Sequence, residues 1–175
     1  MNSILEKLGS YQLLTNLLPG AFFGLAIKYF LNMNLPTENV GEDIVIYYFI
    51  GLFISRIGSL VIEPVLKKMR FIKYANYADF VKAVKTDSKI DTLSEMNNYL
   101  RSLLTCVLLL PVMKIAQVLS SHWLWFAINW KWIVIVILFV LLLFSYGKQS
   151  KYVRNRVDVV NDQQKTRAKT NDISC

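Results

Sequence analysis

The chain is poor in the residues that most often carry chemistry. Its 175 residues include one histidine and two cysteines, and 12 acidic residues stand against 20 basic ones. The lone histidine, His122, sits in a Ser-Ser-His-Trp stretch, without further ligands spaced for a metal ion. No serine or cysteine has a plausible partner base for nucleophilic catalysis. No glycine-rich phosphate loop is present. These absences point to a protein with no cofactor and no metal that is not an enzyme. Cys106 lies in an apolar run and Cys175 at the last position. Their contexts differ, so a disulfide is not expected, and Cys106 reads as a small buried hydrophobe. Cys175 does not open a four-residue prenylation box, so no lipid anchor is indicated.

What the chain has in excess is apolar surface. Hydrophobic residues make up 54% and aromatics 13%, yet the formal net charge is +8. A soluble domain of this size has no use for both. Apolar runs separated by basic loops satisfy both as a membrane protein. A crossing helix needs about 20 mostly apolar residues. Four segments qualify as expected spans: Leu13 to Leu31, with Pro19 and Gly20 predicting a kink or helix start; Ile44 to Ile62, ending before Glu63-Pro64; Leu100 to Leu119, with Pro111 inside it; and Leu124 to Tyr146. The last contains no polar side chain between Trp132 and Phe144. A cleaved signal peptide fits poorly, because Lys28 interrupts the first apolar core and no small-x-small site follows it.

Lysine and arginine alternate between connections. The 33–43 loop has neither and carries Glu38, Glu42 and Asp43. The 120–131 loop has only Lys131, whereas the 64–99 loop and the segment after Tyr146 are strongly basic. The positive-inside rule then places both termini in the cytoplasm, with four crossings. Trp123, Trp125, Trp130 and Trp132 gather around the second outer loop, as an interfacial aromatic belt would. The third span is the least apolar at its ends, with Arg101 at the inner mouth and Lys114 near the outer headgroups, where it can snorkel.

The expected fold is all-α: a polytopic membrane protein with four transmembrane helices and a cytoplasmic helical hairpin between helices 2 and 3. Residues 1–146 form the transmembrane domain, including the hairpin at 64–99, and 147–175 a basic cytoplasmic tail. At the start of the chain, Ser3 and Glu6 have capping-box spacing. In the hairpin, Tyr77, Phe80, Val81 and Val84 share one helical face, and Asp79, Lys82 and Lys85 lie off it. A second helix start is predicted at Asp91/Thr92, with Thr92 and Glu95 at capping-box spacing, running unbroken into the third span. The tail is predicted to extend the fourth helix by a few turns and to be disordered beyond about Asn161.

Polar groups inside apolar spans are costly and mark contacts or pathways. Arg56, Ser59 and Glu63 fall at i, i+3 and i+7 on the second span, one stripe of a helix, either with Arg56 paired to Glu63 or to another helix, or with Arg56 snorkelling inward to lipid phosphate and Glu63 at the interface. Asn16 on the first span and Lys114 with Gln117 on the third complete the candidate pore-lining or helix-contact set. Lys67, Lys68, Arg70 and Lys73 in the hairpin, and Lys148, Lys151, Arg154 and Arg156 in the tail, are candidate contacts for lipid or partner. The expected partners are anionic lipid headgroups, further copies of the chain and a cytoplasmic protein. The bilayer already accounts for the basic surface, so nucleic acid is not implied.

Three stretches, LGSYQLLTNLLPGAFF, GLFISRIGSLVIEPVLKK and FVKAVKTDSKIDTLSEMNNYLRSLL, together resemble small bacterial four-helix inner-membrane proteins of the kind found as membrane components of anti-phage defence systems. The resemblance covers about residues 8–110 and carries no catalytic motif. Proteins of this build include effectors that permeabilise the inner membrane once a cytoplasmic sensor detects infection, and accessory subunits of RNA-targeting CRISPR systems. It implies a multi-pass inner-membrane location and an oligomeric, pore-forming or membrane-perturbing effector triggered by a cytoplasmic partner or ligand. A non-conducting anchor for a cytoplasmic complex and a small-solute transporter are the competing expectations.

Overall fold

A computed structural model describes the backbone of residues 2–33 and 39–173, and the side chains of residues 15–33, 39–123, 125 and 128–162. Six α-helices and one π-helical turn make up the described chain, with no strand among the described residues. They are α1 (Asn2–Leu31), α2 (Val40–Ile57), a π-turn (Gly58–Ile62), α3 (Glu63–Lys68), α4 (Tyr77–Thr86), α5 (Lys89–His122) and α6 (Leu124–Ile173).

α1 and α2 form an antiparallel pair held at backbone distance. A Cβ built on Gly20 would lie 1.7 Å from the Tyr47 carbonyl oxygen, and one on Gly51 would lie 1.7 Å from that of Asn16. Facing glycines let two membrane helices touch main chain to main chain, which maximises dispersion contacts where lipid supplies no hydrophobic drive. The predicted kink at Pro19 does not end α1, which runs through it. The Pro19 carbonyl also accepts a 3.5 Å hydrogen bond from Cys106 Sγ on α5. Phe23, Ile27 and Leu31 of α1, Ile54 of α2 and Cys106 of α5 close the core, with Ile50, Leu109, Leu110 and Met113 packed around them. Cys106 is therefore a buried free thiol.

The helix ends are set by local chemistry. Asn39 caps α2 by accepting from the Gly41 N–H at 3.0 Å, and Glu42 and Asp43 place negative charge at its positive end. Arg70 adopts φ 60°, and the Phe71 N–H reaches back to the Leu66 carbonyl at 3.0 Å. Together they close α3 in a left-handed turn that is usually given to glycine.

α4 and the start of α5 make the expected hairpin. Val81 is fully buried, whereas Asp79, Lys82 and Lys85 face outward. α5 starts at Lys89, three residues before the predicted Thr92 cap, because Asp87 Oδ1 takes the Lys89 N–H at 2.9 Å. It then runs 34 residues without a break, through Pro111. Only Trp123, in an extended conformation, separates α5 from α6. The expected 120–131 loop is thus almost entirely helix.

α6 corrects a second expectation. It is one 50-residue helix that passes Gly147 and continues to Ile173, where disorder was predicted beyond Asn161. No proline interrupts this stretch, and Arg154 and Asp158 pair at i, i+4. The Ser3/Glu6 spacing falls on side chains outside the described set.

Among the described residues, three segments are long and apolar enough to cross a membrane: Val40–Lys68, Lys89–His122 and Ile128–Asp162. This is three, not the expected four. The fourth expected span is α1, whose side chains are described only from Thr15 onward. The outer surface matches a lipid surround. Between Trp132 and Phe144 only Leu141 is buried, and Phe139, Leu143 and Phe144 are exposed. A surface of this extent has no place in water. The chain therefore has the build of a helical membrane protein, with α1, α2 and α5 as its core and α6 on the outside.

Candidate functional site

The only described acidic side chain that is buried is Glu63, 6% exposed, and it is the hub of the molecule's polar structure. Its Oε1 accepts from Lys67 Nζ at 2.8 Å, one helical turn on. Its Oε2 accepts from Arg101 of α5 at 2.7 Å and from Lys148 of α6 at 3.4 Å. One carboxylate thus joins α3, α5 and α6 at the hairpin end of the bundle. Three cations around one anion leave a local charge of about +2.

The backbone explains why Glu63 points there. In the π-turn, the Glu63 N–H donates to the Gly58 carbonyl, five residues back. The next residue, Pro64, has no N–H. The Ser59 carbonyl is left without these helical donors, and Lys148 Nζ fills the gap at 2.6 Å while also donating to Ser59 Oγ at 2.7 Å. A π-turn inserts one extra residue and rotates everything after it by about 100° relative to an unbroken α-helix. Glu63 therefore faces α5 and α6 rather than the direction of Arg56.

Gly58 makes the approach of α5 possible. A Cβ there would lie 2.7 Å from Thr105 Oγ1 and 3.4 Å from the Arg101 side chain. Thr105 donates its hydroxyl to the Arg101 carbonyl at 2.7 Å, and that same hydroxyl oxygen is the atom lying against Gly58. Arg101 is 15% exposed and uses one of its five donors on Glu63. Its Nε is buried without a hydrogen-bond partner.

Beside this junction lies a 450 Å³ cavity between the hairpin and the ends of the long helices. Glu63, Lys67 and Arg101 form its charged wall, and Glu63 is the sole acid among the described residues lining it. Tyr74, Tyr77, Phe80 and Tyr152 supply aromatic faces, and Asn97, Asn98 and Gln149 supply amides. Lys67 Nζ lies 4.3 Å from the Tyr74 ring centre, and the Tyr77 and Tyr152 rings are 6.3 Å apart.

The structure brings Ser59, Glu63, Lys67 and Lys148 of the candidate residues together. It does not bring Arg56 to them. Arg56 is half-buried, with no ion-pair or hydrogen-bond partner among the described residues. Asn16 sits at the α1–α2 crossing. Lys114 and Gln117 pair with each other at 3.2 Å at the opposite end, where Gln117 also donates to the Leu31 carbonyl. Lys68, Arg70, Lys73, Lys151, Arg154 and Arg156 are exposed. Arg101 and the tyrosines are site residues that spacing did not select. An arginine at the mouth of an apolar span is itself a signal for a buried partner.

Comparison of the chain with protein-family models, with curated proteins and with solved structures returns no match.

Proposed function

We propose that this chain is an oligomeric bacterial inner-membrane effector of the anti-phage type its sequence resembles, and that engagement of its hairpin end loosens the membrane helices and opens a leak. The observation that carries this reading is the Glu63 junction. A single buried carboxylate fastens α3, α5 and α6, and it forms part of the wall of a cavity open to incoming molecules. Whatever draws Arg101 off Glu63 loosens α5 from α3 at the point where α6 is also held.

In this reading the hairpin end is cytoplasmic, as the basic residues around it require. α1 is the fourth crossing. It is locked to α2 at Gly20 and Gly51, so if α2 crosses the membrane then α1 goes with it. Phe23, Ile27, Leu31 and Ile54 fill the middle of the protomer, so the leak runs between copies. Arg56, half-buried and without an ion-pair partner among the described residues, then faces a neighbouring copy. A second reading, a non-conducting anchor, is favoured by α6. A helix of 50 residues is about 75 Å long, against ~30 Å of hydrocarbon, and its free length is a mast for a cytoplasmic complex.

The test is single-channel recording of the purified protein in planar bilayers, with the oligomeric mass measured on the same sample. The effector reading expects discrete events from a defined oligomer, with conductance changed by Arg56→Ala. A folded oligomer that stays silent with its cytoplasmic partners added refutes it and favours the anchor.

A further inference from the structure

The 450 Å³ cavity falls in the size range of small-molecule sites, and its donors outnumber its acceptors in a specific way. Arg101 has four N–H groups not used on Glu63, and Lys67 spends one of three on the same carboxylate. Lys148 stands directly behind, its ammonium held by Ser59 and Glu63. Two of the three cations thus carry spare donors, while the one lining acid is already shared among all three. A neutral ligand leaves that positive excess uncompensated. A planar guanidinium beside an ammonium matches the oxygens of a phosphate ester, which accepts from both. The remaining wall is not lipid-like. Four aromatic rings and several amide and hydroxyl groups suit a planar, hydrogen-bonding group attached to the phosphate.

We propose that this cavity binds a phosphate-ester anion, with Arg101 and Lys67 as its phosphate ligands and the tyrosine-lined wall receiving the group that the phosphate carries. The proposal names the trigger class for the effector reading and rests on that reading for its role. Binding itself is measurable whether or not the bundle leaks. Two sources share this chemistry: a soluble nucleotide-like ligand, and the headgroup of an anionic phospholipid reaching in from the membrane edge.

The test uses the full chain in phosphatidylcholine nanodiscs, titrated with AMP, with adenosine as the ring-only control. A parallel series measures retention of phosphatidylglycerol over phosphatidylcholine through purification. Each is repeated with Lys67→Gln and Arg101→Gln. The lysine variant is the safeguard, since Lys67 is 45% exposed and its loss leaves the Arg101–Glu63 pair in place. Saturable AMP binding, absent for adenosine and weakened about tenfold or more in Lys67→Gln, is the expected result, because a charge-assisted phosphate contact contributes on that order. Lys67-dependent retention of phosphatidylglycerol without AMP binding also supports the site and assigns its phosphate to lipid. The proposal is overturned if none of these probes binds saturably to folded protein, or if binding is the same in wild type and Lys67→Gln. Binding without channel activity would sink the effector reading alone, and channel activity without binding would sink the cavity alone.

Discussion

Replacing Glu63 removes the one anion from among three cations, and the geometry ranks what that costs. The Arg101 arm dominates. Its side chain is 15% exposed and Glu63 7%, at 2.7 Å, so Glu63→Gln leaves a nearly buried guanidinium without its counter-charge. Breaking a buried pair from one side costs about 3–5 kcal/mol. The Lys67 arm adds little, because Lys67 is 45% exposed and such pairs contribute ~0–1 kcal/mol. The Lys148 contact to Glu63 is long, at 3.4 Å. The principal bond of Lys148 is to the Ser59 carbonyl, and stripping a donor from a part-buried carbonyl costs about 1–3 kcal/mol. The expected order of destabilisation is therefore Glu63→Gln, then Lys148→Met, then Lys67→Gln. Reversible unfolding in mixed micelles, followed by tryptophan fluorescence, measures all three. Adding Arg101→Met to Glu63→Leu should recover part of the loss, since an apolar pair often replaces a buried ion pair at little cost. The reasoning fails if Glu63→Gln unfolds within about 1 kcal/mol of wild type, or if Lys67→Gln is the most damaging of the three.

Three further outcomes follow from the packing. Gly20→Ala and Gly51→Ala each drive a methyl into a carbonyl 1.7 Å away, and should cost at least ~3 kcal/mol; Gly147→Ala, with nothing within 4 Å, should stabilise α6 by about 1 kcal/mol, and equal effects at the three sites in the same unfolding assay would contradict the tight crossing. Pro64→Ala restores a main-chain N–H to compete with Lys148 for the Ser59 carbonyl, so the penalty of Lys148→Met should shrink in that background in a double-mutant cycle; an unchanged penalty would mean that Pro64 does not create the vacancy. Cys106, fully buried, should resist a bulky maleimide in a Cys175→Ser background until the bundle is unfolded in SDS, and rapid labelling of native protein by mass spectrometry would place the thiol on the surface.

Much of the architecture was written in short-range patterns. The apolar run from Trp132 to Phe144 and the Tyr77–Val84 stripe each depend on neighbours a few residues apart. Periodicity reads such neighbours directly. The continuous passage of α5 from hairpin to apolar segment was readable for the same reason. Helix ends were less so. Thr92 has the better capping spacing, but Asp87 reaches the Lys89 N–H first, a contest decided by loop geometry. Disorder after Asn161 was inferred from the lack of a core, which does not forbid a helix whose backbone bonds continue from the turns before it. The close approach of α1 to α2 was not readable, because Gly20 and Gly51 lie more than thirty positions apart.

The site shows most sharply where counting along a sequence breaks down. Arg56, Ser59 and Glu63 share a stripe only if every turn between them holds 3.6 residues. The segment contains two features that undo this. Gly58 admits Thr105 so closely that α5 must lie against it, and Pro64 withholds the N–H that an unbroken helix would use. A π-turn reconciles them, and the chain beyond it rotates. Glu63 is carried away from Arg56 and into reach of Arg101 and Lys148, residues 38 and 85 positions further on. The resulting vacancy at the Ser59 carbonyl is then a reason for lysine at 148. Its ammonium offers three donors, and Ser59 O, Ser59 Oγ and Glu63 Oε2 are three acceptors. An arginine there is too long and too planar to meet all three from one point, so Lys148→Arg should keep the charge yet lose most of the stabilisation that Lys148→Met loses. If Lys148→Arg instead unfolds like wild type in the mixed-micelle titration, charge alone holds α6 to the junction, and the link between the π-turn and residue 148 is broken.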